Sequence, residues 1–434
     1  MKYQSVKGME DILPQDSRIW QELERIARIE LESNGYREIR TPILEETSVF
    51  TRSIGETTDI VSKEMYTFED RKGRSLTLRP EGTAPIVRAY VEHSLNQLDP
   101  QLRLYYIGPM FRAERPQKGR SRQFYQIGAE IIGSREPQMD AEIVLRLKNL
   151  LEYFGLGGFS IKLNSLGCKE DKAKFKERLS LYLKDKKTGL CDDCKVRAEK
   201  NVLRALDCKN ETCIQILRDA PNIIDSLCAD CKDHFDKVKE LMGVFNIGFV
   251  EAKNLVRGLD YYTGTVFEIN HSDLGSQDAI GAGGRYDTLV KEFGGPDVGA
   301  VGFAIGMERV IIALGEKKEQ LNKSKLVCII PLGNNAKIAG MKLAADLRRK
   351  LNGLPTERSY ALNIITRLNL DDASLNSQMR SANKNNAELV IILGEDELKN
   401  NSVSIKDMKK KDEQLLVKMD RVVDEIGKRL GLPC

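Results

Sequence analysis

The spacing of hydrophobic and polar positions changes several times along the chain, and those changes divide it into regions. Ile19, Leu23, Ile26 and Ile29, three or four residues apart with Glu and Arg between them, predict a helix over 16–34 that stops at Asn34-Gly35. Arg40-Thr41-Pro42-Ile43-Leu44 reads as extended. Alternating segments at 64–68, 74–79, 103–111 and 123–132 predict strands, with a helix over 82–96 between the second and third. Leu104, Tyr106, Ile107, Met110 and Phe111 lead into a charged stretch, and alternation resumes over 123–131, so the two strands form a hairpin with a long basic tip. Short connections with little β-α-β alternation predict an α+β fold, a mainly antiparallel sheet flanked by helices.

From Leu166 to Val244 the pattern becomes helical, lysine-rich and cysteine-bearing, which marks an inserted subdomain at 167–245. Strand patterns return over 255–286, where YYTGTVFEIN and DAIGAGGRYD predict two antiparallel strands. VGAVGFAIGMERVIIALG then predicts a small-residue strand running into an apolar helix. A hydrophilic link, GEKKEQLNKSK at 315–325, precedes a last module with continuous apolar runs at 326–331 and 389–393 and an amphipathic helix over 337–351. Buried strands around a helix predict a small α/β domain. The expected organisation is a unit at 1–320 containing the 167–245 insertion, followed by a domain at 326–434.

Composition narrows the function classes. A chain of 434 residues exceeds one ordinary core, and 41% hydrophobic with 30% charged residues is a globular balance. The formal charge of +4 neither demands nor excludes a nucleic-acid partner. No stretch approaches the ~18 uninterrupted apolar residues of a membrane span, and MKYQSVKGMEDILP lacks the apolar centre of a signal peptide, so a cytoplasmic chain with no membrane association is expected. Three histidines (His93, His234, His271) without an H-E-x-x-H pattern leave out that zinc chemistry. There is no G-x-x-x-x-G-K-[ST] loop, and the glycines at 281, 283 and 284 do not fit G-x-G-x-x-G, so any nucleotide site has another architecture. Among nine cysteines, the pairs Cys191/Cys194 and Cys228/Cys231, with Cys208 and Cys213 between them, have the spacing of a structural zinc site. The pairs Cys191, Cys194, Cys228 and Cys231 are the candidate ligands, and free packed thiols are the competing reading. Cys328 and Cys434 stand apart from the pattern.

The hairpin tip carries the sharpest chemistry. Arg112, Arg115, Arg120 and Arg122 surround Glu114, and arginine grips phosphate with a permanently charged fork. A polyphosphate ligand or a nucleic-acid end fits this charge, and so does a solvated tip. The surrounding motifs are RTPILEE (40–46), LRPEGTA (78–84), FRAE with RSRQFYQIGAE (111–130), LVRGLDYYTGTVFE (255–268), AGGRYD (282–287) and GFAIGMER (302–309). Together they closely resemble the histidyl-tRNA synthetase family over essentially the whole chain. The proline-bearing strand, the arginine hairpin and the strand-to-helix arginine are similar to the three motifs of class II aminoacyl-tRNA synthetases. LVRGLDYYTG and AGGRYD are similar to sequences of the histidine-specific family.

The resemblance implies activation of L-histidine with ATP to histidyl-adenylate, then transfer of histidine to the 3′ end of histidine tRNA. It implies ATP and Mg²⁺ as cofactors, and a homodimer joined through the segment containing Pro42. On this chain it places Arg112 and Arg257 at the α-phosphate, with Arg112 also on the amino-acid carboxylate. Arg257 stands as a fixed cation where other class II enzymes rely on a metal ion. Arg120 and Arg309 fall near the outer phosphates, and Phe124 and Glu114 at the adenine. Glu81, Gly82, Thr83 and Gln126 fall to the histidine amino group. Glu130, Tyr261, Tyr262 and Tyr286 fall to the ring pocket. Arg115, Gln117, Lys118 and Arg122 fall to the tRNA acceptor end, with Gly283 and Gly284 beside the adenylate. The terminal module, with GEDEL at 394–398, resembles the anticodon-binding domain, although Asn376 and Asn401 depart from its pattern. It holds 18 Lys and Arg against 14 Asp and Glu, a slight basic excess compatible with RNA. A non-charging regulatory subunit of ATP phosphoribosyltransferase shares the catalytic fold, but such paralogues usually lack both the terminal module and the LVRGLDYYTG arginine. A synthetase-like RNA-sensing module fused to a kinase is a third class, and no kinase segment is present.

Overall fold

The computed structural model describes residues 3–55, 58–275, 278–321, 325–352, 364–369, 373–410 and 414–431; Cys434 lies outside them. The chain divides into two compact units, Met1–Leu321 and Asn322–Cys434.

The first unit is built on an eight-stranded sheet. Its order is Arg37–Glu38, Leu102–Phe111, Gln123–Ile132, Ala300–Gly306, Ala279–Arg285, Thr263–Asn270, Ser160–Ser165 and Val250–Glu251. The six inner strands run antiparallel to their neighbours, and only the short edge strands pair in parallel. Successive side chains leave a strand on opposite faces. On Gln123–Ile132, Ile127, Ala129 and Ile131 therefore join one core with Leu23, Leu147 and Phe235 of the helices Pro14–Ser33, Pro137–Tyr153 and Ala229–Val244. Phe124, Gln126, Gly128 and Glu130 point the other way. That second face is closed by the helix Thr83–Glu92 and by the insertion, with Ile86, Leu104, Tyr106, Phe175 and Leu179 in its core. A separate three-stranded antiparallel sheet joins Leu44–Glu46, Ser75–Leu78 and Tyr66–Glu69.

The insertion consists of the helices Lys169–Asp185, Asp192–Lys200, Glu211–Arg218 and Ala229–Val244 with short 3₁₀ turns between them. Most of the hydrophilic link expected at 315–325 lies among the described residues and is structured. Gly315–Leu321 is a 3₁₀ helix, and Leu321 packs on the first core, so burial of one leucine outweighs the polar composition. The second unit carries a five-stranded sheet ordered Ile364–Leu368, Lys325–Pro331, Leu389–Leu393, Ser402–Asp407 and Gln414–Lys418. Its first three strands are parallel, as the apolar runs imply, and the last two add an antiparallel extension.

A buried ion pair ties the sheet to its helices. Arg285 donates from Nε to Asp140 Oδ2 at 2.7 Å, and its remaining nitrogens reach the carbonyls of Ser134 and Glu136 and the carboxylate of Asp287. Both partners are fully enclosed. Burial alone would raise the Asp140 pKa, but Arg285 and His234 outweigh it and hold the carboxyl below its ordinary range. Removing one partner leaves an uncompensated buried charge. Arg285→Met should lower stability by about 3–5 kcal/mol in urea unfolding followed by tryptophan fluorescence; a loss below about 1 kcal/mol would show that the pair is not the tie described.

Candidate active site

The inward face of the sheet opens into a cleft of about 1170 Å³. Its floor follows from the register. One cross-strand row runs Tyr106, Gly128, Ala304, Ala282, Glu268, and the small residues at its centre leave the space. In the next row Glu130 lies between Leu104 and Gly302. A Cβ on Gly302 would fall 1.6 Å from Glu130 Oε2, so only glycine admits the carboxylate. In a third row Gln126 is flanked by Gly108 and Gly306. Gly82 and Gly128 sandwich the Tyr106 ring, since a Cβ on either would stand 2.3 Å from it.

At the closed end of the cleft two carboxylates are buried. Glu81 accepts hydrogen bonds from the backbone amides of Thr83 at 2.6 Å and Ala84 at 2.8 Å, at the start of the helix Thr83–Glu92. Burial raises its pKa even so, against those two amides. Glu130 accepts from the Thr83 hydroxyl at 2.9 Å and the Tyr286 hydroxyl at 2.6 Å. Burial pushes its pKa to about 8, and neutral hydroxyl donors do not offset that. Tyr261 packs against Tyr262 with ring centroids 4.7 Å apart and edge-on against Tyr286 at 5.8 Å, which makes an aromatic wall. Gln126 Oε1 and Tyr106 Oη, in the lining of the pocket, are buried without a hydrogen-bond partner.

Toward the mouth the cleft turns cationic. Arg112 is held by a hydrogen bond from Nε to the Pro80 carbonyl at 2.9 Å and lies 5.3 Å from the Phe124 ring centroid. Arg309, on the helix Met307–Leu314, donates to the carbonyls of Gly119 and Ala279. Burial, then the like charges of Arg120 and Arg112, lower its pKa. Arg120 bridges Glu114 at 2.9 Å. Arg257 bridges Glu268 at 2.9 Å and stands 6.0 Å from the Tyr262 ring. Burial opposes its charge, but Tyr262, Glu268 and Asp207 outweigh that and keep the guanidinium protonated.

A family model described as histidyl-tRNA synthetase matches residues 8–310, and one described as anticodon binding domain matches 326–429. The histidine–tRNA ligase of Syntrophotalea carbinolica is 46% identical over 408 residues, 94% of each chain. That of Thermotoga petrophila is 44% identical over 433 residues, covering 99% of this chain and 100% of its own. This chain belongs to the histidyl-tRNA synthetase family. Among solved structures, apo histidyl-tRNA synthetase of S. aureus superposes with a TM-score of 0.76 at 32% identity, covering 98% of this chain and 99% of that one.

Most residues that the family resemblance nominated meet in this cleft. Glu81, Thr83, Gln126, Glu130, Tyr261, Tyr262 and Tyr286 line its deep end, and Arg112, Glu114, Arg120, Phe124, Arg257 and Arg309 line its mouth. Gly82 serves packing beneath Tyr106. Gly283 and Gly284 are tight for the same kind of reason, a Cβ on them falling 2.1 Å from the Gly302 carbonyl and 2.5 Å from the Thr265 carbonyl. At the tip, Arg115, Gln117 and Lys118 are exposed. Arg122 instead turns back: its side chain donates to the Glu114 and Lys7 carbonyls and its amide to Gly8, so it anchors the N-terminal segment.

Several residues that shape this cleft carry little signal in the sequence. Tyr106 reads in the sequence only as a strand apolar, although it lies two residues from Leu104 on the face that carries Glu130. Gly302 gave no signal without the register. From the insertion, Arg204 bridges Asp59 at 3.0 Å, and Asp207 lies beside Arg257, so this subdomain forms one wall of the cleft. Lys172, mostly buried with its pKa lowered to about 8 by burial, donates to the carbonyls of Asp260 and Tyr262 and fixes the tyrosine loop.

The single cysteine set is corrected. Cys191 and Cys194 gather with Cys208 and Cys213, whereas Cys228 and Cys231 gather with Cys168 and Asp171. The two C-x-x-C pairs sit at the starts of the helices Asp192–Lys200 and Ala229–Val244, and each start meets a different partner set.

The raised Glu130 pKa has a consequence for stability. The folded chain keeps this proton up to about pH 8, while the unfolded chain loses it in the ordinary carboxyl range near 4.5. The contribution is therefore full below about 4.5 and is lost as pH rises through about 8. Relative to the parent chain, Glu130→Gln should gain stability steadily over that window, by up to about 1.4 kcal/mol per pH unit in urea midpoints. Parallel profiles for the two proteins would rule out a neutral Glu130.

Proposed function

We propose that this chain attaches L-histidine to the 3′ end of histidine tRNA, using ATP. The observation that carries the reading is one cleft in which a deep end of buried carboxylates and tyrosines opens onto Arg112, Arg257 and Arg309. In the first step a histidine carboxylate oxygen attacks the α-phosphorus of ATP, and the bond to pyrophosphate breaks. No side-chain nucleophile is needed; the site must position the reactants and match the developing phosphate charge. Arg112 spans the carboxylate and the α-phosphate, and Arg257, held by Glu268, lies opposite. Arg309 and Arg120 take the outer phosphates, and Phe124 and Glu114 take the adenine. Among the described residues no group of three acidic side chains converges in the cleft, so magnesium would enter with the triphosphate, whose charge it helps to neutralise.

Glu81 and Thr83 take the histidine ammonium together with Gln126, whose unpartnered Oε1 is an acceptor. Glu130, Tyr262 and Tyr286 read the imidazole. A buried polar pocket rejects side chains that leave its groups unpaired, which gives discrimination without an editing site. In the second step a ribose hydroxyl of the terminal adenosine attacks the acyl carbon and AMP leaves. The exposed Arg115, Gln117 and Lys118 meet the acceptor end, and the second unit meets the anticodon. The match to an anticodon-binding family and the presence of Arg257 favour this reading over a non-charging regulatory subunit.

We further propose a homodimer in the cytoplasm, formed through the segment around Pro42, where Ile43 and Leu44 are exposed. No helix among the described residues is long and apolar enough to cross a membrane. Light scattering after gel filtration should give twice 48.9 kDa, and a monomer at micromolar concentration would overturn the proposal.

Amino-acid-dependent pyrophosphate exchange tests the chemistry. Histidine alone of the twenty amino acids should support exchange, and Arg257→Ala should reduce it by about 10²–10³-fold, the scale of losing one preorganised charge, while tRNA binding persists. Exchange that is absent with every amino acid would point to the regulatory reading. Exchange that survives Arg257→Ala would remove that arginine from the mechanism.

A further inference from the structure

The insertion contains two clusters that the adenylation chemistry does not use. In the first, Cys191, Cys194, Cys208 and Cys213 bring four sulfurs within 4.8 Å of one another. In the second, Cys168, Cys228, Cys231 and Asp171 do the same with three sulfurs and a carboxylate oxygen. We propose that these are two separate structural zinc sites, one of four thiolates and one of three thiolates and an aspartate.

The geometry fits the ion. Four sulfurs at ~2.3 Å from a tetrahedral zinc lie about 3.8 Å apart, and Cys191 Sγ and Cys208 Sγ are 3.8 Å apart. That is far beyond the ~2.05 Å of a disulfide. The sulfurs also accept backbone amides, as metal-bound thiolates do: Cys191 N–H points to Cys213 Sγ at 3.2 Å, and Asn210 N–H to Cys208 Sγ at 3.4 Å. In the second cluster Asp171 N–H points to Cys168 Sγ at 3.5 Å. Asp171 is fully buried and receives the amides of Cys228 at 3.0 Å and Cys168 at 3.4 Å. A carboxylate has about four lone-pair sites, so two remain for a cation.

Both clusters use the same construction. Cys191 caps Asp192–Lys200 and Cys194 is its third residue, while Cys213 is the third residue of Glu211–Arg218 and Cys208 lies just before it. Cys168 caps Lys169–Asp185 with Asp171 third, and Cys228 caps Ala229–Val244 with Cys231 third. Each cluster thus joins two helix starts, whose partial positive charge favours anionic ligands.

Packing alone accounts poorly for the first cluster. Asp192–Lys200 buries only Cys194, and Glu211–Arg218 buries only Cys213 and Leu217. Helices of nine and eight residues with so little apolar contact are marginal in water and need a cross-link. The first ion would hold the turn Val202–Asp207, and with it Arg204 and Asp207, against the cleft. The second would hold the start of the helix that carries Lys172.

Elemental analysis of the full-length protein, purified under reducing conditions without chelator, should find two zinc ions per chain. Cys194→Ser and Cys231→Ser should each lose one, and the double variant both. Should the variants fail to fold, exchange of the parent protein into cobalt keeps the test open: two equivalents should develop thiolate-to-cobalt charge-transfer bands with tetrahedral intensity. Absence of zinc together with failure to take up cobalt would overturn the proposal. So would a disulfide within either cluster in the freshly purified protein, or a parent protein that holds one zinc in all and loses it on mutation of either Cys194 or Cys231, which would indicate one shared site.

Discussion

A β-sheet can bury a polar side chain on its face only if the neighbouring strands leave room for it, and this site depends on that condition. Glu130 has Gly302 beside it, and Gln126 has glycine on both sides, at Gly108 and Gly306. Any side chain at Gly302 would occupy the position of the Glu130 carboxylate. The small residues Gly128, Ala304 and Ala282 extend the same condition across the floor. The opposite face of the same strands is filled by Ile127, Ala129 and Ile131 against three helices, so the sheet is rigid where the site must be accurate.

The charged groups obey a matching rule. Three arginines at the mouth are held in place, Arg112 by the Pro80 carbonyl, Arg309 by the carbonyls of Gly119 and Ala279, and Arg257 by Glu268. A hydrogen bond from one guanidinium nitrogen orients the whole planar fork. The carbonyl partners of Arg112 and Arg309 hold the charge without neutralising it, which suits a site that receives a polyanion, whereas Arg257 and Arg120 are paired with carboxylates. The deep carboxylates are treated oppositely. Amide and hydroxyl donors orient them, and burial keeps Glu130 close to neutral.

Periodicity and motif chemistry made the hairpin, its two faces and the arginine set legible in the sequence, because these are properties of neighbouring residues. The role of Gly302 was not legible, since it depends on which distant strand lies beside Glu130. The cysteines show the same limit. C-x-x-C spacing identifies half of a ligand set, but which halves meet is decided by the packing of the insertion helices. Arg122 was grouped with its neighbours by charge, and only the path of the N-terminal segment separates it from them. Leu321 lies in a tract whose composition resembles a linker, and the partial burial of that one side chain against the core changes its status.

The insertion leaves the sheet after Ser160–Ser165 and returns at Val250–Glu251, and these two strands pair in parallel. Val250 pairs with Lys162, three residues before the point where the chain leaves the sheet, so the two ends of the insertion lie on adjacent strands and about 10 Å apart along them. The entropy of closing a loop grows only with the logarithm of its length, so the sheet is almost indifferent to how many residues pass between those strands. A subdomain attached in this way can be lengthened, shortened or rebuilt over evolutionary time without disturbing the strand order beneath it. What constrains its history is what it gives the rest of the unit: Phe235 and Phe175 to the two cores, Arg204 and Asp207 to the wall of the cleft, and Lys172 to the tyrosine loop.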